Sequence, residues 1–257
     1  PYALDRRQGY APDLDALAAQ VGPHTKAIIV NSPANPTGAV FGETTLRGIL
    51  DIARRHDLWV ISDECYDEIV FDGAHLSMAT LGERERVITV FTFSKSYAMT
   101  GWRVGYVVAS PELAQVLTKL QEPVNACTSA ISQKAAEAAL RGPQVCVAQM
   151  RESYRARRDL ATSLLDREGI GYVRPRGAFY LMVDVSPAGA SADFARTLLT
   201  DYHVATVPGN AFGSGGEGMV RVSLSASEES IRTGLSRLAE AVHHAASRPH
   251  AGADGRG

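Results

Sequence analysis

The chain has 257 residues, 45% hydrophobic and 21% charged, with a formal net charge of −2. That length supports one large or two smaller hydrophobic cores, and the charge lacks the basic excess that displaces counterions from nucleic acids, so no nucleic-acid partner is expected. No apolar run approaches the ~18 residues that span a bilayer and no signal peptide opens the chain, so no membrane partner is expected and the cytoplasm is the default compartment.

Pro1 stands first rather than methionine, and "PYALDRRQGYAPDLDAL" reads as leading at once into an amphipathic helix. "TKAIIVN", residues 25–31, is a short apolar run that ends in turn formers, as in a strand buried on both faces. "ETTLRGILDIARRHD" then sets Leu46, Ile49, Leu50 and Ala53 at helical spacing. "LWVISD" (58–63) and "RVITVFTF" (86–93) are further strands of the buried type. A helix between two such strands makes a βαβ unit, so a parallel sheet with right-handed crossovers is expected.

"VGYVVAS" (104–110) follows after a loop too short for a parallel crossover, which predicts an antiparallel neighbour. In "SPELAQVLTKL", Ser110 suits an N-cap and Pro111 the first helical position, with Leu113, Val116, Leu117 and Leu120 on one face. Residues 142–169 read as one long, arginine-rich helix. Short strands follow, "GYVRP", "AFYLMVDV", "HVATVP" and "MVRVSLS", with one helix, "ADFARTLLTDY", among them. A last helix opens with a capping box of Ser225 and Glu228 and turns Ile231, Leu235, Leu238 and Val242 inward. The expected organisation is a major domain over 1–141, a long helix and α+β domain over 142–246, and a disordered tail over 247–257.

Cys65, Cys127 and Cys146 have no short pair spacing, so free thiols are expected rather than a disulfide framework or zinc knuckle. His243 and His244 are neighbours on a predicted helix and point to different faces, so no metal site is expected. "GSGGEG" (213–218) matches the dinucleotide pattern GxGxxG, but that fingerprint opens a helix, whereas a strand follows here; it reads as a loop.

In an open parallel sheet, ligands bind beyond the carboxyl ends of the strands. Three successive ends present Asn35 in "NSPANPTG", Asp63 with Tyr66, and Thr92 with Lys95 in "TFSKSYAMTGWRVGY", which also carries Arg103. A lysine in an apolar pocket loses proton affinity and condenses with aldehydes. A carboxylate keeps a ring nitrogen protonated, Asn and Tyr donors hold a phenolic oxygen, and a guanidinium fork suits a phosphate. Each residue also has a plainer reading: Lys95 a surface lysine, Asp63 the cap of a helix over "ECYDEIV", Tyr66 packing, Asn35 a turn residue before Pro36.

The set "NPTG", "SDECYDEI", "SKSYAMTGWRVGY", "PRGAFYL" and "VPGNAFGSGGEGMVRVS" resembles, in order and style, the class I/II pyridoxal-phosphate-dependent aminotransferases of the aspartate-aminotransferase-like fold. The resemblance runs over residues 2–242. It implies an α/β, PLP-dependent transferase-like fold, with a mostly parallel major domain and a smaller α+β C-terminal domain. It further implies pyridoxal 5'-phosphate as cofactor, an amino acid and a 2-oxo acid as substrates, ping-pong transamination and a homodimer. By the same resemblance Lys95 bonds the cofactor, Asp63 faces its ring nitrogen, Asn35 and Tyr66 bond its phenolic oxygen, Thr92 and Arg103 hold its phosphate, and Arg221 grips the substrate α-carboxylate.

The family often makes the peptide corresponding to Asn35–Pro36 cis. Thr92 stands where the family usually has serine. The family's N-terminal part, with its glycine-containing phosphate loop and stacking aromatic, is not in the sequence, so the chain reads as the C-terminal portion of the fold. A lyase of the same fold, the effector domain of a transcriptional regulator, and a non-catalytic remnant are the rival readings. The segment 121–133, "QEPVNACTSAISQ", is expected to border the site without revealing the substrate side chain.

Overall fold

The computed structural model describes residues 1–247. These residues form two compact units, Pro1–Arg155 with Pro175–Ala178, and Ala156–Arg174 with the chain from Phe179 onward. The tail expected to be disordered lies outside the described residues, apart from Ser247, which ends the last helix.

In the first unit a hairpin precedes the first helix. Strand β1 (Leu4–Asp5) pairs antiparallel with β2 (Ala11–Pro12) before α1 (Leu14–Ala19) begins. Asp13 starts α1 because its carboxylate accepts the backbone N–H groups of Asp15 and Ala16, each at 3.0 Å. Then come β3 (Ala27–Asn31), α2 (Glu43–Arg55), β4 (Trp59–Asp63), β5 (Val87–Thr92), the short α3 (Phe93–Ser96) and β6 (Gly105–Val108). The four strands form one sheet in the order β3-β4-β5-β6. The first three run parallel, and β6 is antiparallel to β5, as the short loop requires.

Helix α2 buries Leu46, Ile49, Leu50 and Ala53, the stripe its spacing predicts, and Ile52 besides. With Val30, Val60 and Val87 of the strands they make a core in which each large side chain contributes about 1.5–3 kcal/mol. Residues 65–68 fold as a turn rather than the helix that an Asp63 cap would imply. Ser110 and Pro111 open α4 (Pro111–Asn125) as expected, but α4 buries no residue: Val116 and Leu120 remain more than half exposed. Spacing marks an apolar face; it does not say whether anything in the same chain covers it. Helix α5 (Ala130–Arg141) follows, then α6 (Val145–Arg167), within which the boundary between the units falls.

The second unit holds β7 (Tyr172–Val173), β8 (Tyr180–Asp184), α7 (Ser191–Thr200), β9 (Val207–Pro208), β10 (Met219–Ser223) and α8 (Glu228–Ser247). Its sheet is antiparallel throughout, in the order β7-β8-β10-β9. Leu181, Val183, Leu198, Val220, Leu235 and Leu238 fill its core. The start of α8 differs from the expected capping box. Ser225 is still in the turn after β10, its N–H held by the Ser223 hydroxyl, and the cap is Ser227, whose hydroxyl accepts from Ser230 N–H at 3.1 Å. His243 and His244 take separate partners, Glu168 and Tyr202. Among the described residues no helix is long and apolar enough to cross a membrane.

One glycine contact sets the turn between β3 and α2. Gly38 has φ +68°, and its carbonyl accepts the N–H groups of Arg176 and Gly177 at 2.8 and 2.9 Å, which ties "NPTG" to "PRGA". A Cβ at position 38 would lie 2.3 Å from the Cβ of Pro175 and 3.0 Å from the carbonyl oxygen of Gly177. Gly38→Ala is expected to destabilise the first unit by about 2–4 kcal/mol, combining left-handed backbone strain with overpacking. Urea unfolding checks this: the midpoint should fall at unchanged slope.

Candidate active site

Parallel pairing sets Asn31 opposite Asp63, and Asp63 opposite Val90, so β3, β4 and β5 end along one edge of the sheet. Thr92 lies two residues beyond Val90 on the same strand. The candidate residues on those strands and the turns after them therefore share one edge.

Asn31 fastens the first of these turns. Its Nδ2–H donates to the carbonyl of Asp63 at 3.1 Å, and its Oδ1 accepts the backbone N–H of Asn35 at 2.7 Å. The Asn35–Pro36 peptide is cis, as the resemblance implies, and so is Ser32–Pro33. A cavity of about 440 Å³ reaches this turn, lined by Tyr2, Ile28, Asn31, Asn35 and Pro36 among others.

The Asp63 carboxylate accepts the backbone N–H of Cys65 at 3.2 Å. Burial first, and then the Asp63 charge, push the Cys65 thiol up, while the Lys95 amine pulls it the other way. Cys65 thus stands within the electrostatic reach of both Asp63 and Lys95. Tyr66 is buried, and the Lys95 Nζ lies over its ring, 5.7 Å from the centroid. The structure brings Asp63, Tyr66 and Lys95 into one neighbourhood.

Lys95 rides on α3, a helix of four residues that is too short to be stable alone. Thr92 caps it by accepting Ser94 N–H at 3.1 Å, and the Thr92 hydroxyl approaches the Val104 carbonyl at 3.5 Å. Phe93 anchors it in a cluster with Met99, Val104 and Ala136, and the ring of Tyr97 packs beside Phe93. Small residues follow Lys95 because the chain must turn back at once: Ser96 is buried, and Ala98 takes φ 52°. Ser96 Oγ donates to Asp67 at 3.3 Å, and burial raises the Asp67 carboxyl above its ordinary range.

Arg103 also has a left-handed backbone, φ 52°, and it immediately precedes Val104 in the loop leading to β6. Its side chain is exposed, and its guanidinium donates to the carbonyl of Thr100 at 3.0 Å. Beyond it, Gln121, Ala126, Cys127, Thr128 and Gln133, from the segment expected to border the site, line a cavity of about 510 Å³ with Val104 and Gly105. Arg221 belongs to the second unit, on β10, where its guanidinium lies over Tyr180 and Phe212.

Behind Asp63 is a support with no motif of its own. Glu64 is buried and faces away from Asp63 by strand alternation. It accepts Ser62 Oγ–H at 2.8 Å, Ser77 Oγ–H at 3.1 Å and Met78 N–H at 3.0 Å, and lies 2.7 Å from His75 Nε2. The one sequence signal for it is an acidic residue adjoining a strand-end aspartate. Asn31 has a comparable signal, an amide at the last strand position before a proline-rich turn.

The description "Aminotransferase class I and II" belongs to the family whose profile matches residues 1–238. An aspartate aminotransferase of Pyrococcus abyssi is 41% identical over 231 residues, covering 88% of this chain and 59% of the relative. An arginine–pyruvate transaminase of Pseudomonas aeruginosa is 39% identical over 242 residues, covering 93% and 62%. A solved aromatic aminotransferase from Pyrococcus horikoshii superposes with a TM-score of 0.90 at 37% identity, covering 94% of this chain and 66% of that one. The chain spans about three fifths of the length of the curated relatives it matches.

Cys127 and Cys146 are exposed, whereas the Cys65 thiol is held protonated against Asp63. At neutral pH, iodoacetamide is expected to label Cys65 at least about tenfold more slowly than the other two, because the thiolate is the reacting form. Peptide mass spectrometry over a time course measures it, and unfolding should equalise the rates.

Proposed function

The chain belongs to the class I and II aminotransferase family, and from that membership we propose that it carries catalytic residues of a pyridoxal-phosphate-dependent aminotransferase. The reaction moves an amino group between an amino acid and a 2-oxo acid by a ping-pong route. The observation that carries the reading is the neighbourhood of Asp63, Tyr66 and Lys95 at the shared ends of parallel strands. The names of the relatives span aspartate and arginine–pyruvate substrates, so the side chain accepted here stays open within the amino acids.

The donor set fits pyridoxal phosphate. Lys95 offers the amine that an aldehyde needs, and Asp63 a carboxylate to hold a proton on the pyridine nitrogen. Asn35 and Tyr66 are donors for the phenolic oxygen, and the Thr92 hydroxyl and Arg103 guanidinium suit the phosphate. When bound, the protonated pyridine ring supplies the sink for the electron pair released at the substrate α-carbon.

The chain's own residues do the rest. With the cofactor bound, Lys95 Nζ would be the base that takes the proton from the substrate α-carbon and holds it for return, its flexible stem turning about a single anchor point. Asp63 would set its carboxylate against the ring nitrogen. The Cys65 N–H on the Asp63 carboxylate and the Asn31 amide on the Asp63 carbonyl would hold the end of β4 in place. Arg221, by resemblance, orients the substrate through its α-carboxylate. A homodimer is the proposed assembly on the same resemblance.

Lys95→Ala is expected to remove the visible absorbance that the chain develops with pyridoxal phosphate. It should also lower glutamate formation from 2-oxoglutarate and an amino-acid mixture at least about a thousandfold. Retention of either signal would overturn the assignment, and release of ammonia with no glutamate would point to elimination instead.

A further inference from the structure

Arg221 lies on β10, between Met182 of β8 and Val207 of β9. Its guanidinium carbon lies over two aromatic rings, 4.4 Å from the centroid of Tyr180 and 5.0 Å from that of Phe212. Tyr180 is buried and reaches Arg221 diagonally across the strand pair, since it stands opposite Ser223, two residues along β10. Phe212 arrives by a different route. It ends the single turn Gly209–Phe212 that follows β9 and is 40% exposed.

That turn is held by a contact between backbones. A Cβ on Gly209 would lie 2.0 Å from the carbonyl oxygen of Gly216, and a Cβ on Gly216 would lie 2.1 Å from the carbonyl oxygen of Gly209. The two stretches approach this closely because neither position carries a side chain. Gly213 between them takes φ +110°, which a side chain would strain. The glycine-rich stretch that imitates a dinucleotide fingerprint therefore has a structural use: it lets the turn bearing Phe212 seat beside Arg221.

A guanidinium over aromatic faces is attracted by the ring quadrupoles and loses part of its hydration, while its N–H donors stay in its own plane. The in-plane fork is the geometry that a carboxylate accepts in bidentate fashion. We infer that Tyr180 and Phe212 are positioning residues that hold Arg221 as a receptor for the substrate carboxylate, with the Gly209–Gly216 contact setting the second ring. The inference rests on the role proposed for Arg221.

The test is made on the whole chain, with 2-oxoglutarate as the probe. The NMR signal of the Arg221 Nε–H, identified by its loss in Arg221→Lys, should be displaced by ring currents and should move as 2-oxoglutarate is added. Phe212→Leu should reduce the ring-current displacement and weaken 2-oxoglutarate about tenfold, the effect of removing one ring from a partly desolvated cation. Phe212→Tyr should restore both, and Gly216→Ala should reproduce the leucine variant by moving the turn. The absorbance with pyridoxal phosphate should be the same in all four.

A leucine variant with the native Arg221 signal and an affinity within about twofold of native would overturn the clamp. An Arg221 signal that never responds to 2-oxoglutarate would overturn the receptor role. Failure of the aminotransferase reading looks different: the native chain then shows no absorbance with pyridoxal phosphate, while its Arg221 signal still responds to the carboxylate and to Phe212→Leu.

Discussion

Asn31 spans the gap between two strand ends, with one arm of its amide on the carbonyl of Asp63 and the other on the N–H of Asn35. The pairing that puts it there is the parallel register of β3 and β4. Parallel strands deliver all their carboxyl ends to one edge, and the turns that leave those ends are free to carry polar groups. The Asn31 amide adds to the Ser32 N–H already on the Asp63 carbonyl, so the aspartate and the turn that follows β3 are fixed to each other rather than merely near.

Lys95 is mounted by a different economy. Four helical residues have too few internal hydrogen bonds to order themselves, so the position of the amine is decided by what surrounds them. Phe93 enters an apolar cluster, Thr92 closes the first turn, and Ser96 reaches Asp67. On the far side of β4, Glu64 has donors from Ser62, Ser77 and Met78 and a partner in His75. A buried carboxylate is costly when partly satisfied and rigidifying when fully satisfied, and this one links the strand to the 75–78 loop.

The second unit presents its arginine by other means. It has an antiparallel sheet instead of a shared strand edge, and two aromatic rings lie against the Arg221 guanidinium. The absence of side chains at Gly209 and Gly216 is as much a part of that arrangement as the rings themselves.

Most of the secondary structure was legible from local pattern. The apolar runs ending at Asn31, Asp63 and near Thr92 became parallel strands, the short loop before Val104 forced an antiparallel neighbour, and the Leu46–Ala53 stripe was buried. Local pattern failed where two nearby residues compete for one role, as at Ser225 and Ser227, since only the path of the turn decides which hydroxyl meets a free N–H. It also overreached at α4, where a stripe exists without being buried.

By itself, then, the sequence determined the element types and the family, because periodicity and ordered motifs are properties of neighbours along the chain. The tertiary structure alone decided that Asn31 joins Asn35 to Asp63, that Glu64 is anchored by the 75–78 loop, and that a glycine-rich stretch places Phe212 over Arg221. Each of these depends on groups brought together by folding, and a hydrogen bond or ring contact forms only within a few ångströms in space, however many residues lie between the partners.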